Sequence, residues 1–250
     1  MSRVYVFAAS PFEAKPVQRI AASGGSSDSS SAPLRCGPNE VFLSVSGMGP
    51  RDAQKRVEAA LGTKSQPPAS PKPDVVLVIG LCGGLTASLP EGRIVAYTNC
   101  LSTDPAKPPL GCSEPLVDSF VSLLASSGIL CDRVVGITSP RIATTREERV
   151  SLAKSGAGVI DMESYSIVEA ASITNVPAMV LRVVSDSFDR ELPDFNRALD
   201  DGGALDGRKG LKIALGSPLR TLKLLAANRR AMKNLSNALE IVMPAKCFAA

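Results

Sequence analysis

The fold class is decided by one stretch of sequence, Gly158-Val-Ile-Asp-Met-Glu-Ser-Tyr-Ser166, and by its continuation, Asn175-Val-Pro-Ala-Met-Val-Leu-Arg-Val-Val-Ser-Asp186. The first part predicts a short strand followed by a helix that carries Glu163 in its first turn. The second part predicts a buried apolar strand that ends at Ser185-Asp186. Two carboxylates therefore follow strand ends, where an α/β sheet presents its ligand crevice.

These two acids suit different parts of one ligand. A single carboxylate such as Glu163 can accept hydrogen bonds from both hydroxyls of a sugar. Asp186, partly removed from water, can keep a proton available for a purine nitrogen. Each acid also has an ordinary interpretation, because Glu163 would be favoured by the helix dipole and Asp186 could cap the next turn. From the residues alone, both interpretations stay open.

Outside this stretch, apolar runs alternate with helical patterns and glycine turns. The runs predict strands at residues 4–9, 41–46, 74–79, 93–98 and 134–138. This alternation predicts a single α/β domain with a mixed, mainly parallel central sheet flanked by helices, and an added C-terminal helix. We expect residues 1–190 to form the core, with a flexible Ser/Gly-rich loop at about 21–39. Residues 191–250 are expected to form a helical extension that packs on the core.

The composition excludes several kinds of chemistry. The 250 residues include no histidine, which excludes Ser-His and Cys-His nucleophiles and His-ligated metals. The six cysteines show no metal-binding spacing, so we expect reduced thiols and no metal. Acid–base work must fall to Asp, Glu, Lys, Tyr or Cys. No apolar run reaches the roughly 20 residues of a membrane span, and no signal peptide is recognisable, so a cytoplasmic location is expected.

Positive charge is concentrated near the C-terminus. Between Gly207 and Leu239 the chain has eight Lys or Arg residues and no acid, against a net charge of +4 for the whole chain. A helix is predicted from about Leu219 to Val242. Its apolar stripe is expected to comprise Leu225, Met232, Leu235 and Leu239. The basic face is interpreted as solvated, with peripheral contact to an anionic membrane as the alternative. Nucleic acid is not an expected partner, because no aromatic residue interleaves these charges.

Two further segments are candidate parts of a site. Glu13 completes a capping box with Ser10, and its functional alternative is a base that orients an attacking water. Gly80-Leu81-Cys82-Gly83-Gly84 predicts a turn whose backbone N–H groups can approach an anion or a sugar. It lacks the GxGxxG and P-loop patterns, so no dinucleotide or ATP is inferred. Cys82 is interpreted as a packing residue, since nothing nearby in sequence would lower the pKa of its thiol.

Taken together, these segments resemble the nucleoside phosphorylase and nucleosidase superfamily, in particular its methylthioadenosine nucleosidase branch. The resemblance covers roughly residues 3–189 and depends on the order and spacing of its pieces. The pieces are the first strand with Glu13, Ser46-Gly47-Met48-Gly49, Ile79–Leu85 followed by Glu91–Val95, Asp161–Ser164 and Arg182–Asp186. Within the superfamily, the Asp-Met-Glu-Ser form and the basic C-terminal helix look most like the hopanoid-associated phosphorylases.

The resemblance implies roles for the candidate residues. Glu163, beside Met162, should bind the ribose hydroxyls. Asp186 should protonate or hydrogen-bond the purine at its five-membered ring, and Glu13 should position the nucleophile. The base pocket is expected to include Ile142, Ala143 and Ser185. The anion or sugar loop is expected to comprise Gly80, Leu81, Cys82 and Gly83. Relatives often have Ser or Thr where this chain has Leu81, and no phosphate-binding Arg precedes the loop, so water is favoured as the nucleophile.

The same resemblance implies a substrate class and an assembly. The expected reaction is cleavage of the N-glycosidic bond of a 5′-modified purine nucleoside, releasing adenine, with adenosylhopane as the lipid-linked candidate. Residues Ala8–Ala14 also resemble futalosine hydrolases, so futalosine or methylthioadenosine hydrolysis stays open. A non-catalytic nucleoside-binding protein on the same scaffold is a further alternative. No cofactor is expected, although inorganic phosphate stays open as a co-substrate, and the chain is expected to form a homo-oligomer, in the simplest case a dimer.

Overall fold

The computed structural model of the chain describes residues 1–23, 33–62, 71–200 and 206–248. The strands in this part of the chain are β1 (Arg3–Ala8), β2 (Leu34–Cys36), β3 (Asn39–Val45), β4 (Val75–Gly84), β5 (Ile94–Ser102), β6 (Leu110–Gly111), β7 (Cys131–Thr138), β8 (Val159–Asp161) and β9 (Ala178–Asp186). The helices are α1 (Pro11–Ser23), α2 (Pro50–Leu61), α3 (Glu114–Ser126), α4 (Arg146–Ala153), α5 (Ser164–Ile173), α6 (Gly207–Gly216) and α7 (Pro218–Val242). Short 3-10 turns cover Phe195–Ala198 and Lys246–Phe248.

The strands form one mixed sheet in the order β2-β3-β1-β4-β8-β7-β5-β6, and β9 pairs with both β4 and β5. Parallel pairing joins β1 to β3 and β4, β4 to β9, and β7 to β5 and β8. Antiparallel pairing joins β2 to β3, β4 to β8, and β5 to β6 and β9. The predicted fold class, a mainly parallel mixed sheet flanked by helices, is confirmed.

The core is built on β4 and β9, which lie side by side in parallel register. Residues 75–79 of β4 are all apolar and buried, as expected for a strand covered on both faces. All nine residues of β9 are buried, including Arg182 near its middle and Asp186 at its end. Because a buried charge must be paired to be tolerated, Arg182 and Asp186 each require a partner from another element.

The end of β4 differs from the prediction. Residues Gly80–Gly84, predicted as a turn, continue the strand, because β8 and β9 supply pairing partners at Gly83. A glycine is required at position 80, where φ is +147° and a Cβ atom would collide with Oε1 of Glu13. The glycines therefore allow close approach within the sheet instead of reversing the chain.

Two other predicted features have different boundaries in the structure. The loop predicted at 21–39 is shorter, because α1 continues to Ser23 and β2 begins at Leu34, while residues 24–32 lie outside the described chain. Glu163 is the residue that precedes α5, not a member of its first turn. The reason is Asp161, whose Oδ1 accepts hydrogen bonds from the backbone N–H groups of Glu163 (3.0 Å) and Ser164 (2.9 Å) and so starts the helix at Ser164.

Helix α7 packs against the sheet and completes the core. Met232, Leu235 and Leu239 are buried as predicted. Leu225 was also predicted on the buried stripe, but it is 49% exposed, because the buried face of α7 begins at Ala227. The N-terminal part of α7 therefore exposes Leu219, Leu222 and Leu225, and only its C-terminal part belongs to the core.

Candidate active site

A cavity of about 370 Å³ lies where β4, β8 and β9 end. Of the predicted site residues, all but Gly80 line it. They are Glu13, Leu81, Cys82, Gly83, Ile142, Ala143, Met162, Glu163, Ser185 and Asp186. Gly80 does not line the cavity, but it lies next to the side chain of Glu13, which does. Glu163 and Asp186, which were predicted to share a cleft, both line this cavity.

Glu13 caps α1, as predicted, and it also lines the cavity. Its Oε2 accepts hydrogen bonds from the backbone N–H and the hydroxyl of Ser10, at 2.9 and 3.0 Å. Its Oε1 accepts a hydrogen bond from the backbone N–H of Leu81 at 2.8 Å. These three donors fix the carboxylate at the cavity wall and tie the start of α1 to β4.

Arg182 connects the carboxylates of Asp161 and Glu163. Its guanidinium is 1% exposed and donates to the Leu81 carbonyl (2.8 Å), to the Ser164 hydroxyl (2.9 Å) and to Oε2 of Glu163 (3.2 Å). It also forms an ion pair with Asp161 at 3.6 Å. Burial opposes the charge, but the adjacent carboxylates of Asp161 and Glu163 raise the pKa of Arg182 above its usual value. Arg182 is therefore a permanently charged centre between β9 and α5.

Asp161 is a structural acid at the base of the site. Besides the two backbone N–H groups that begin α5, it accepts hydrogen bonds at 2.8 Å from the hydroxyls of Tyr97 and Thr138. Burial opposes its ionisation, but Arg182 and these hydrogen bonds hold the pKa of Asp161 below its ordinary value. Asp161 is thus ionised and fully occupied, which is why Glu163, and not Asp161, is available to a ligand.

Glu163 is the perturbed acid of the site. Desolvation raises the pKa of its carboxyl to about 7; Arg182 opposes this effect, and the negative charges of Asp161 and Glu13 add to it. One oxygen accepts a hydrogen bond from the backbone N–H of Gly49 at 3.1 Å. A buried carboxyl with such a shift, in a cavity, is a candidate for a direct role in chemistry or binding.

Asp186 is buried, as expected for a carboxyl partly removed from water, but its partners are charged and polar. One carboxylate oxygen is paired with the guanidinium of Arg149, and the other accepts a hydrogen bond from the Ser185 hydroxyl at 2.5 Å. Both partners are buried, so the carboxylate is held in one orientation facing the cavity. The position of Asp186 agrees with the prediction, whereas its environment is charged.

Arg149, on α4, is the main site residue that the sequence did not indicate. Its guanidinium is 1% exposed and donates to the carbonyls of Gly84, Ala143 and Ser187, each at 3.0 Å. It therefore joins the end of β4, the base-pocket segment and the loop after β9. No local pattern reveals this, because Arg149 is the one fully buried residue of α4, and its partner Asp186 lies 37 residues away.

Cys82 lines the cavity as a protonated thiol. Burial is the largest effect and raises the pKa of Cys82 well above its ordinary value; Arg182 lowers it by less, and Asp161 and Asp186 raise it further. A thiol in this state is a poor nucleophile. The interpretation of Cys82 as a packing residue is consistent with this geometry.

The remaining cavity wall is mostly apolar and comes from both ends of the chain. It includes Phe12, Met48, Leu192, Phe195 and Leu224. Three of these residues follow position 190, so the segment predicted as an extension also contributes to the site. Arg141, which immediately precedes the predicted base-pocket residues Ile142 and Ala143, also lines the cavity and is exposed.

Neither a metal cluster nor a membrane span is found in the described ranges. No group of three or more Cys, Asp or Glu residues there could hold a metal ion. In the same ranges, no helix is both long enough and apolar enough to cross a membrane.

An α/β sheet with three carboxylates lining a largely apolar cavity at its strand ends defines a class of protein, an α/β protein with a small-molecule site built on acids. Comparison with known families identifies this class further. The family model described as the Phosphorylase superfamily matches residues 3–202, and the chain belongs to that superfamily. The predicted superfamily and the prediction of an enzyme are both confirmed.

Solved structures with the same fold come from several bacteria. Futalosine hydrolase of Helicobacter pylori strain 26695 has a TM-score of 0.72 at 14% identity, covering 96% of this chain and 97% of its own. The 5′-methylthioadenosine/S-adenosylhomocysteine nucleosidase of Neisseria meningitidis, in complex with methylthio-immucillin-A, has a TM-score of 0.72 at 16% identity, with coverages of 97% and 99%. The S-adenosylhomocysteine nucleosidase of Streptococcus pyogenes has a TM-score of 0.68 at 16% identity, with coverages of 96% and 97%. At these identities the similarity defines the fold.

Proposed function

We propose that this protein cleaves the N-glycosidic bond of a 5′-modified purine nucleoside, with water as the nucleophile. One observation carries the proposal: Glu13, Glu163 and Asp186 line the same 370 Å³ cavity, each held by defined hydrogen-bond donors. Three carboxylates suit the three needs of the reaction, which are to hold the sugar, assist the leaving base and orient the nucleophile.

The proposed reaction assigns one step to each acid. Asp186, which is paired with Arg149 in the structure, takes up a proton as the nucleoside binds. As the C1′–N9 bond breaks, its electron pair passes to the base, and Asp186 gives this proton to the five-membered ring of the purine. Glu163 accepts hydrogen bonds from the ribose hydroxyls while positive charge develops at C1′, as in related glycosyl transfers. A water molecule oriented by Glu13 then attacks C1′ and gives its proton to Glu13. The products are the free purine and the 5′-modified ribose, and solvent returns the proton from Glu13 to Asp186.

The neighbours of Asp186 support its role as the acid. Once Asp186 has given up its proton, the Arg149 guanidinium stabilises the carboxylate that remains. The Ser185 hydroxyl donates to the other oxygen, which leaves the acid fixed beside Ile142 and Ala143, the expected walls of the base pocket. Met162 supplies an apolar surface next to Glu163 for the sugar.

Water is favoured over inorganic phosphate by the charge around the nucleophile position. Arg182 is a buried cation of the site, and its donors are already directed at Glu163, Ser164 and the Leu81 carbonyl. A phosphate dianion would approach Glu13 and Glu163 without a free cation from Arg182, and Leu81 provides no hydroxyl. Phosphate as a co-substrate is therefore the alternative that the assay must exclude.

The apolar wall favours a substrate with a greasy 5′ group. An apolar 5′ group could pack against Leu81, Leu192, Phe195 and Leu224. We therefore propose adenosylhopane as the specific substrate, with adenine as the released base. Relatives of the same fold include a futalosine hydrolase and a methylthioadenosine nucleosidase, so these two nucleosides are the alternatives to test. We further propose a cytoplasmic homodimer that contacts the membrane peripherally through its basic C-terminal helix.

The test is release of purine, measured by chromatography, from methylthioadenosine, futalosine and an adenosylated lipid, each with and without phosphate. We expect release without phosphate from at least one of them. Absolute dependence on phosphate would replace hydrolysis by phosphorolysis. Tight nucleoside binding by calorimetry with no release from any substrate would favour a binding protein on this scaffold.

Asp186→Asn is the variant that tests the acid. Proton transfer by a positioned acid typically accelerates a reaction by about 100-fold to 10,000-fold. Asp186→Asn should therefore lower kcat by a factor in that range. The matched control is Asp189→Asn, which removes an exposed acid three residues away that does not line the cavity. Wild-type turnover by Asp186→Asn, or an equal loss in Asp189→Asn, would exclude Asp186 as the proton donor.

A further inference from the structure

An exposed leucine stripe runs along α6 and the start of α7. Its members recur every three or four residues and are 49–75% exposed. They are Leu211, Leu215, Leu219, Leu222 and Leu225. Single exposed leucines are common, but five at three- or four-residue spacing on two consecutive helices are the pattern of a surface that is covered by a partner.

Five cations of α6 and the first part of α7 alternate with these leucines along the chain. They are Arg208, Lys209, Lys212, Arg220 and Lys223. Arg220 pairs with Glu191 at 3.1 Å and Lys209 lies 3.9 Å from Asp206. Within the described part of the chain, Arg208, Lys212 and Lys223 form no ion pair, so they are free to meet an external anion.

The stripe lies beside the active-site cavity. On α7, Leu224 and Asn228 line the cavity, while Leu222 and Leu225 on adjacent positions point outward. One helical segment therefore forms both part of the cavity wall and part of the exposed surface. The 3-10 turn at Phe195–Ala198, which packs against α6, also contributes Phe195 to the cavity.

We propose that the leucine stripe and its cations form a docking surface for anionic lipid bilayers that places the cavity beside the membrane surface. The leucines would enter the boundary between head groups and acyl chains, and the cations would pair with lipid phosphates. Resting on the proposed function, this surface lets a nucleoside with an apolar 5′ chain reach the cavity directly from the bilayer.

Charge distinguishes a bilayer from a second copy of this chain as the occupant. A two-fold interface apposes the same patch from both copies, so the unpaired cations of one copy would face those of the other. Like charges at an interface oppose association, whereas the negative surface of a bilayer attracts every one of them.

The test uses the full chain and sedimentation with vesicles of phosphatidylcholine, with or without phosphatidylglycerol. We expect binding only with phosphatidylglycerol and weakening as salt rises. Leu215→Ser/Leu219→Ser/Leu222→Ser should weaken vesicle binding at least tenfold. The matched control is Leu130→Ser, which changes an equally exposed leucine (69%) between α3 and β7 and should bind like the wild type.

A second pair of variants tests the charges. Lys212→Gln/Lys223→Gln should weaken binding about fivefold for each cation removed. Lys55→Gln/Lys154→Gln makes the same change in net charge on exposed positions of α2 and the end of α4, and should have little effect. Equal binding by the wild type and both stripe variants, or no binding by the wild type, would overturn the proposal. A stripe variant that lost self-association and left vesicle binding unchanged would assign the surface to a second copy.

Vesicle binding is measured without substrate, so its outcome is independent of the proposed reaction. If the protein is active, all these variants should keep wild-type turnover of a water-soluble nucleoside. On a long-chain 5′-alkylthioadenosine held in anionic vesicles, the stripe variants should lose activity in proportion to their loss of binding. Wild-type activity on the vesicle-held nucleoside by non-binding variants would overturn delivery from the bilayer.

Discussion

At the scale of single residues, the site depends on how two arginines are paired with three acids. Arg182 lies against Asp161 and Glu163, and Arg149 pairs with Asp186. Asp161 accepts the most hydrogen bonds, and its pKa is lowered. Glu163 accepts fewer, and desolvation raises its pKa. Glu163, at the position proposed for the sugar, therefore has a pKa close to neutral pH.

The raised pKa of Glu163 predicts a pH dependence of catalysis. Because the ribose hydroxyls need a carboxylate acceptor, kcat/KM should rise as pH increases through about 7, the pKa of Glu163 in the free enzyme. Glu163→Gln should lower activity by about 100-fold to 1000-fold and remove this inflection. A wild-type profile that is flat between pH 6 and 8, measured at saturating and subsaturating nucleoside, would contradict the role.

The same pKa has a consequence for stability. Between the ordinary pKa of 4.5 and about 7, the folded state keeps a proton on Glu163 that the unfolded state has lost. The folded state therefore binds more protons in this window, and this group makes the free energy of unfolding fall as pH rises through it. Urea denaturation at several pH values should show a decline that is smaller in Glu163→Gln.

The buried Arg149–Asp186 pair predicts that the cost of replacing Arg149 depends on whether Asp186 is still charged. Arg149→Met leaves a buried carboxylate without its cation and should lower the free energy of unfolding by about 3–5 kcal/mol. In an Asp186→Asn background the same substitution should cost less, because no charge is left unpaired. Arg133→Met, which breaks the exposed pair with Asp118, is the control and should cost no more than about 1 kcal/mol. Equal costs of Arg149→Met in both backgrounds would show that the pair is not coupled.

At the scale of elements, two capping boxes allow the structural and the proposed catalytic roles of Glu13 to be separated. Glu13 caps α1 with Ser10, and Glu148 caps α4 with Thr145 in the same manner. Glu148 is exposed and does not line the cavity. Each Glu→Gln variant should lose about 1 kcal/mol of stability from its cap. Only Glu13→Gln should also lose activity, by about 100-fold in kcat.

Comparison of the two variants decides between the roles. Chemical denaturation measures the cost of each cap, and purine release measures catalysis on the same preparations. If Glu148→Gln lost as much activity as Glu13→Gln, a general loosening of the fold would explain both. If neither lost activity, Glu13 would have a capping role alone.

Local patterns predicted the elements better than the contacts between them. The apolar run of β9, the capping signals of α1 and α4, and the later part of the α7 stripe all follow from nearest neighbours along the chain. The end of β4 was predicted as a turn because it is rich in glycine. In the structure these glycines let side chains from neighbouring elements approach β4 closely, which the local sequence does not show. Arg182 gave a usable signal, a lone charge within an apolar strand. Arg149 gave none.

At the scale of the whole molecule, the carboxyl ends of β4 and β9 determine the site, and both ends of the chain complete it. The N-terminal segment contributes Glu13 and Phe12, while the segment after residue 190 contributes Leu192, Phe195 and Leu224. A cavity closed by distant segments requires that they fold together. The predicted division at residue 190 therefore places part of the site on each side of the boundary.

Helix α7 provides the test of that division. Leu235 is fully buried against the sheet, so Leu235→Ala should lower the free energy of unfolding by about 2–5 kcal/mol. Leu225→Ala, on the exposed part of the same helix, should change it by less than about 0.5 kcal/mol. Urea unfolding can be followed by far-ultraviolet circular dichroism and by the fluorescence of Tyr5, Tyr97 and Tyr165, since the chain has no tryptophan.

The number of unfolding transitions shows whether α7 and the sheet unfold together. Coincident single transitions by both probes, shifted together by Leu235→Ala, would mean that α7 and the sheet unfold as one cooperative unit. Deleting residues 208–250 would then expose the core as well as remove the leucine stripe, so point substitutions are the sound way to study the surface. Two separate transitions, with Leu235→Ala affecting only one of them, would instead support an extension that folds independently of residues 1–190.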